Sequence, residues 1–307
     1  MYLDAASLYF RAYYGVPDAI VSPDGKPVNA VRGFLDMVAT LVTTYRPSRL
    51  VACMDADWRP AWRVSALPSY KAHRVAPDGA EEVPDLLSPQ VPVLEAALDA
   101  VGIARIGIDG YEADDVIGTL TASTGDPVDI VTGDRDLFQL VRDDRPVRVL
   151  YTARGVRRMQ IVDEAEITSR YGIPGRAYAD FALLRGDPSD GLPGVSGIGD
   201  KTAAALLARF GSVAGIRAAL ASGEADGFPA GARRRLLEAT DYLDRAPVVV
   251  AVACDAPLPA YDDRLPAQVA DPAALVELST RWGLDSSFNR LLTAFGLPAA
   301  RAERSAD

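Results

Sequence analysis

The stretch DIVTGDRD, residues 129–136, carries an apolar, β-branched run straight into a Gly-Asp turn. Read as a short buried strand, 129–132 delivers Asp134 at its carboxyl end and Asp136 two residues later. The same device recurs upstream. Residues 1–3 end at Asp4, and 49–54 (RLVACM) run into Asp55. Residues 103–108 form a further short strand, after which YEADD, residues 111–115, opens a helix over 113–122. Segments 30–45 and 91–101 carry apolar residues at helical spacing. Strands alternating with helices predict an α/β fold, a mostly parallel sheet flanked by helices. In such a sheet ligands bind beyond the carboxyl ends of the strands, which is where these acids fall.

Composition restricts the chemistry available there. A chain of 307 residues, 49% apolar and 24% charged, makes one large or two modest globular domains. Only Cys53 and Cys254 are present, far apart, so a disulfide framework or a cysteine zinc site is excluded and a reducing compartment fits. His73 is the single histidine, which weighs against histidine triads and histidine-rich metal sites and points to carboxylates as the carriers of catalysis. No apolar run reaches membrane-spanning length, and Asp4 and Arg11 interrupt the place of a signal peptide, so a cytoplasmic protein is expected.

Beyond about residue 165 the pattern changes to short helical runs at 164–171, 176–184, 202–210 and 232–242, with 248–254 reading as a β-like interruption. The stretch 65–89, rich in Pro, Ser and acids, reads as exposed, and 299–307 as a frayed tail.

Nine acids from five segments collect at one edge of this sheet: Asp4, Asp55, Glu112, Asp114, Asp115, Asp134, Asp136, and Asp187 and Asp190 of GDPSDG. Singly, each is an ordinary cap or turn residue. Jointly they would repel one another unless protonated or bound to cations. Hard divalent ions with oxygen ligands, Mg²⁺ or Mn²⁺, answer that need, and two of them suit in-line displacement at phosphorus. The net charge of -10 argues against a polyanionic partner, yet without these nine acids the balance falls to -1. Basic candidates are Arg63, the set Arg154, Arg157 and Arg158, and SYKAHR, residues 69–74, where a helical turn would aim Lys71 and Arg74 the same way.

GVSGIGDKTAAALL, residues 194–207, is a glycine-rich turn opening a helix, a place for phosphate. Asp200 separates Gly199 from Lys201, so the nucleotide P-loop pattern fails by one residue. What remains is a helix–hairpin–helix over about 179–210, which grips nucleic-acid backbone without reading sequence.

Taken together the chain resembles the 5′-nuclease family, the 5′→3′ exonuclease domain of bacterial DNA polymerase I and stand-alone flap endonucleases. The resemblance rests on SLYFRAYYG (7–15), MDADWRPAWR (54–63), SYKAHR (69–74), GYEADDVIGTL (110–120), VTGDRDLFQLV (131–141) and DFALLRGDPSDGLPGVSGIGDKTAAALL (180–207), and runs from residue 1 to about 295. It implies a PIN-like 5′-nuclease fold: a catalytic core over 1–165 with a helical arch at about 60–92, a helical region over 166–295, and a tail over 296–307. It implies a hydrolase that cuts DNA at 5′ ends and 5′ flaps, RNA-primed ones included, beside a DNA polymerase and ligase. A cytoplasmic, nucleoid-associated monomer without a membrane partner is expected, free-standing because the chain ends soon after the nuclease region. By resemblance the nine acids are metal ligands, and Lys71 and Arg74 contact the scissile phosphate. Arg63, Tyr70, Gly194, Gly197, Gly199, Lys201 and Thr202 touch DNA, with K⁺ at the hairpin. Ala5 departs from the glycine that the family usually has after its first Asp.

Overall fold

The computed structural model describes residues 1–77, 79–224 and 226–298; the expected tail at 299–307 lies outside the described residues. Six strands, β1 (Tyr2–Asp4), β2 (Val51–Cys53), β3 (Ala104–Ile106), β4 (Val128–Thr132), β5 (Val147–Tyr151) and β6 (Gln160–Val162), form one sheet in the order β3-β2-β1-β4-β5-β6. All neighbours run parallel except β5 and β6. Successive strand residues point to opposite faces. Tyr2, Val51, Cys53 and Ile130 therefore enter one core, and Leu3, Ala52 and Val131 the other.

The second of these cores is closed by α1 (Ala5–Gly15), α2 (Asn29–Tyr45), α4 (Val91–Val101), α12 (Pro272–Trp282) and α13 (Asp285–Ala294). The first is closed by α5 (Ala113–Ser123), α6 (Glu164–Tyr171), α7 (Tyr178–Arg185), α8 (Asp200–Phe210), α9 (Val213–Ala221), α10 (Ala232–Glu238) and α11 (Thr240–Val250). A short α3 (Ala61–Ala66) lies between β2 and α4. Strand β1 pairs with β2 on one side and β4 on the other, so the strand order reverses at β1. That reversal point is where an open parallel sheet leaves a crevice for ligand.

The structure corrects three expectations. Residues 248–254 are not a strand: α11 continues through Val250, burying Val249 and Val250 in the core. β-branched residues are tolerated in a helix once tertiary burial favours it. The run 232–242 is broken at Ala239 into α10 and α11. The expected helical arch over 60–92 contains α3, then turns and short 3₁₀ segments up to Gln90, with Val75 bridged to Glu81. Pro68, Pro77, Pro84 and Pro89 withhold the N–H groups that a continuous helix there would require.

Candidate active site

Strand β1 ends by capping α1. The Asp4 carboxylate accepts from Ser7 N at 3.0 Å and from the Thr132 hydroxyl at 2.6 Å, which ties the ends of β1 and β4 together. Thr132 is fully buried, and its oxygen also accepts from Asp134 N at 2.8 Å. Ser7 Oγ accepts from Gly133 N at 2.8 Å, and a Cβ built on Gly133 would lie 2.8 Å from that same oxygen. Only glycine fits between α1 and the turn that presents Asp134.

The α5 N-terminus is held from two sides. Asp55, just past β2, accepts from Ala113 N at 2.7 Å, placing an acid at the positive helix end. Glu112 and Asp115 form a capping box. Below it, Arg63 of α3 is almost fully buried. Its guanidinium forks onto Asp115 at 2.7 and 2.8 Å, also donates to Glu112, and reaches the carbonyls of Val249 and Ala251 at 3.1 and 3.2 Å. Burial opposes the charge of Arg63, but Asp115 and Glu112 outweigh it and raise its pKa.

Arg63 and Tyr70 were expected to meet DNA; both are instead interior. Tyr70 is 3% exposed and donates its hydroxyl to Glu112 at 2.7 Å. Asp115 is likewise removed from the ligand set, because Arg63 and the N–H groups of Glu112 and Ala253 fill its oxygens. The signal available in sequence was charge complementarity: an Arg on an apolar helix and an acid three residues into another.

Lys71 and Arg74 do approach the acids, though from a 3₁₀ turn over Ala72–Arg74 rather than an α-helix, with Lys71 itself in the left-handed region at φ 47°. Lys71 Nζ donates to Glu112, and Arg74 to Asp190 Oδ1 at 3.2 Å and Ser189 O at 2.6 Å. Two cavities meet here. The smaller, about 220 Å³, is lined by Asp4, Asp55, Glu112, Asp114 and Asp134 with Lys71 and Arg74. The larger, about 670 Å³, is lined by Asp187, Arg135 and Arg185 and shares Arg74, Gly133 and Asp134 with the first. Asp136 and Asp190 line neither cavity, though Asp136 N donates to Asp134 at 2.9 Å and Asp190 accepts from Arg74. Glu81 and Ser7, absent from the sequence reading, also line the smaller cavity. Glu81 lay hidden in a run of acids and prolines read as exposed.

Burial pushes Asp4 up to about 7, with Asp55 and Asp134 adding repulsion. Burial also raises Asp114, Asp134 and Asp136, and each has other acids of the set among its causes. Glu112 rises to about 7 for the same first reason, against the pull of Lys71 and Arg63. The donor set is all oxygen, hard and short of counter-charge, which suits a hard cation. Among the described residues no three His, Cys, Asp or Glu side chains are gathered to hold an ion as they stand. One of the carboxylates, Glu112, is instead taken up by Lys71.

A stability prediction follows from these directions. An acid whose pKa is raised in the folded state binds protons more readily folded than unfolded, so its contribution is full below the unfolded value and lost as pH rises through the folded one. In EDTA the melting temperature is expected to fall as pH is raised from about 5 to 8, measured by differential scanning fluorimetry. A Tm that is flat or rises over that interval would contradict the shared field of acids.

A family model described as 5′-3′ exonuclease, N-terminal resolvase-like domain, matches residues 1–172, and a second, 5′-3′ exonuclease, C-terminal SAM fold, matches residues 173–273. The chain belongs to the 5′-3′ exonuclease family. Among its relatives in that family, a 5′-3′ exonuclease of Streptomyces coelicolor is 64% identical over 299 residues, 95% of this chain and 99% of that one. DNA polymerase I of Mycobacterium tuberculosis is 41% identical over 217 residues, 69% of this chain and 23% of that much longer one. The fold is similar to that of the bacteriophage T5 D15 flap endonuclease, solved in a complex with DNA and metal ions, at a TM-score of 0.64 and 18% identity over 96% of this chain and 98% of that one.

In this 5′-3′ exonuclease the hairpin residues separate into two groups. Gly194, at φ 67°, has no room for a side chain, since a Cβ would lie 2.5 Å from Gly186 N; its place is packing. Gly197, at φ 74°, faces the side chain of Arg235, whose Nη1 donates to Gly197 O at 3.1 Å. Gly199 is open: a Cβ there meets nothing within 4 Å. Lys201 is exposed and Thr202 half-buried in the first turn of α8, and Gly199 is the N-cap of that helix.

Proposed function

We propose that this chain is a divalent-metal-dependent, structure-specific 5′ nuclease acting on DNA, both as a 5′→3′ exonuclease and as a 5′-flap endonuclease, in primer and flap removal. The observation that carries the reading is the convergence of acids from three strand ends and the α5 N-terminus on one small cavity that Lys71 and Arg74 also line. The relationship to DNA polymerase I supports a role beside a polymerase and ligase, and the DNA-bound T5 neighbour supports the substrate class.

Asp4, Asp55, Glu112, Asp114, Asp134, Asp136, Asp187 and Asp190 would hold Mg²⁺ or Mn²⁺, directly or through water. Bound cations of this kind supply an activated water and stabilise the leaving 3′ oxygen. Arg74 and Asp134 line both cavities, so a strand crossing from one to the other passes between a cation and an acid. Lys71, held charged by Glu112, needs only to turn from that carboxylate to neutralise a phosphoryl oxygen. Gly197, Gly199, Lys201 and Thr202 would hold the duplex arm through backbone amides and one ammonium, with K⁺ at the hairpin. We place the protein in the cytoplasm as a monomer.

The test is product-length analysis on a 5′-labelled flap duplex with Mg²⁺, Mn²⁺ or EDTA. Cuts at the flap base and short 5′ products with either metal, and none in EDTA, are expected. DNA binding without cleavage in Mg²⁺ and Mn²⁺ would leave only a DNA-structure-binding protein.

A further inference from the structure

A groove of about 1080 Å³ runs between α2, α13 and the 156–158 turn, and shares no lining residue with the two acid-lined cavities. Arg32, Arg46, Arg157 and Arg290 line it against a single acid, Asp36. Arg290 Nη2 clasps that acid at 2.7 and 2.8 Å, bridging α13 to α2. Among the described residues, Arg32, Arg46 and Arg157 pair with no acid. In a chain of net charge -10, three unpaired guanidinium groups in one groove are a local reversal of sign. Arg157 belongs to the Arg154, Arg157, Arg158 set singled out in the sequence, which the catalytic cavities leave unused.

The lining says what such a groove can take. Arg32 and Arg46 stand at opposite ends of α2, about 21 Å apart at 1.5 Å per residue, too long a row for one small anion. One strand of duplex DNA places a phosphate every 3.4 Å or so along its axis, so the row spans about six steps. No Phe, Tyr or Trp lines the groove, so it offers no platform on which bases could stack. The hydroxyls of Thr40 and Thr43 already donate to Asp36 O and Ala39 O, leaving oxygens that only accept. Charge without stacking is the chemistry of backbone contact that positions a duplex and reads no sequence.

We propose that this groove is a second nucleic-acid site, gripping the phosphodiester backbone of a duplex arm apart from the hairpin at α8. The proposal rests on the 5′-nuclease reading. Its test compares wild type with the triple variant Arg32→Gln, Arg46→Gln, Arg157→Gln on a long-armed 5′-flap duplex. Binding is measured in EDTA across NaCl concentration, and cleavage at saturating substrate in Mg²⁺.

The slope of log Kd against log salt is expected to fall by about 0.9 for each lost phosphate contact, and binding at physiological salt to weaken about tenfold or more. The saturated cleavage rate and the Tm should stay at wild-type values. The triple lysine variant should restore most of the slope, because charge rather than guanidinium shape is what the site uses. A glutamine variant with wild-type Kd and slope would overturn the groove as a nucleic-acid site. Wild-type protein that neither binds nor cuts flap DNA would instead strike the 5′-nuclease reading itself.

Discussion

Replacing Asp134 by Asn is expected to slow flap cleavage by at least about 10²–10³-fold while leaving the protein folded. Asp134 lines both acid cavities, and it lies in the field of Asp4, Asp114, Asp136, Asp187 and Asp190. Its structural duty is small. Oδ1 accepts from Asp136 N at 2.9 Å, and an Asn oxygen can accept the same bond. Its own N–H is held by Thr132, whatever the side chain. The substitution therefore removes one negative charge from a crowded cluster and little else, and Tm in EDTA should hold or rise. Single-turnover rates in Mg²⁺ against melting curves in EDTA separate the two effects. A variant within about tenfold of the wild-type rate would refute a shared catalytic role for this cluster.

Most of the catalytic edge was legible because it depends on chain direction and period. A buried strand that runs into an acid places that acid at a sheet edge without any knowledge of tertiary contacts. Asp4, Asp55 and Asp134 fell at the ends of β1, β2 and β4 for this reason. Strands β5 and β6 went unread, although VRVLY, residues 147–151, alternates in the expected way. Both follow the acid-bearing strands; β5 ends without an acid, and Asp163, directly after β6, caps α6 by accepting from Glu166 N. The turn over 71–74 could not be told from an α-helix by a three-residue spacing alone, since 3₁₀ and α turns both bring such positions together. Arg63 failed for a deeper reason. An arginine near a run of acids reads equally well as a hand reaching for phosphate or as a counter-ion. Only the packing of α3 against α5 and α11 separates the two, and that packing joins residues 49 and 186 positions apart.

Because Arg63 is that counter-ion, Arg63→Met is expected to destabilise the fold by about 3–5 kcal/mol, the typical loss when one partner of a buried ion pair is removed. Glu112 and Asp115 would both remain buried, and the carbonyls of Val249 and Ala251 would lose a donor. Lys71 would still neutralise Glu112, but among the described residues Asp115 has no ion pair besides Arg63. The excess charge should therefore fall mainly on Asp115, which a second substitution can test. Asp115→Asn deletes the charge and keeps one acceptor oxygen, which can serve either the N–H of Glu112, now on Oδ2, or that of Ala253, now on Oδ1, while its amide nitrogen faces the other. In urea unfolding, the double variant should lose clearly less than the sum of the two single losses, since each single change strands the partner that the other removes. Arg63→Lys should fall between, retaining charge without the fork that joins α3 to α5 and α11. A loss below about 1 kcal/mol for Arg63→Met, or strict additivity in the double variant, would mean that the guanidinium is not what holds the α5 N-terminus in place.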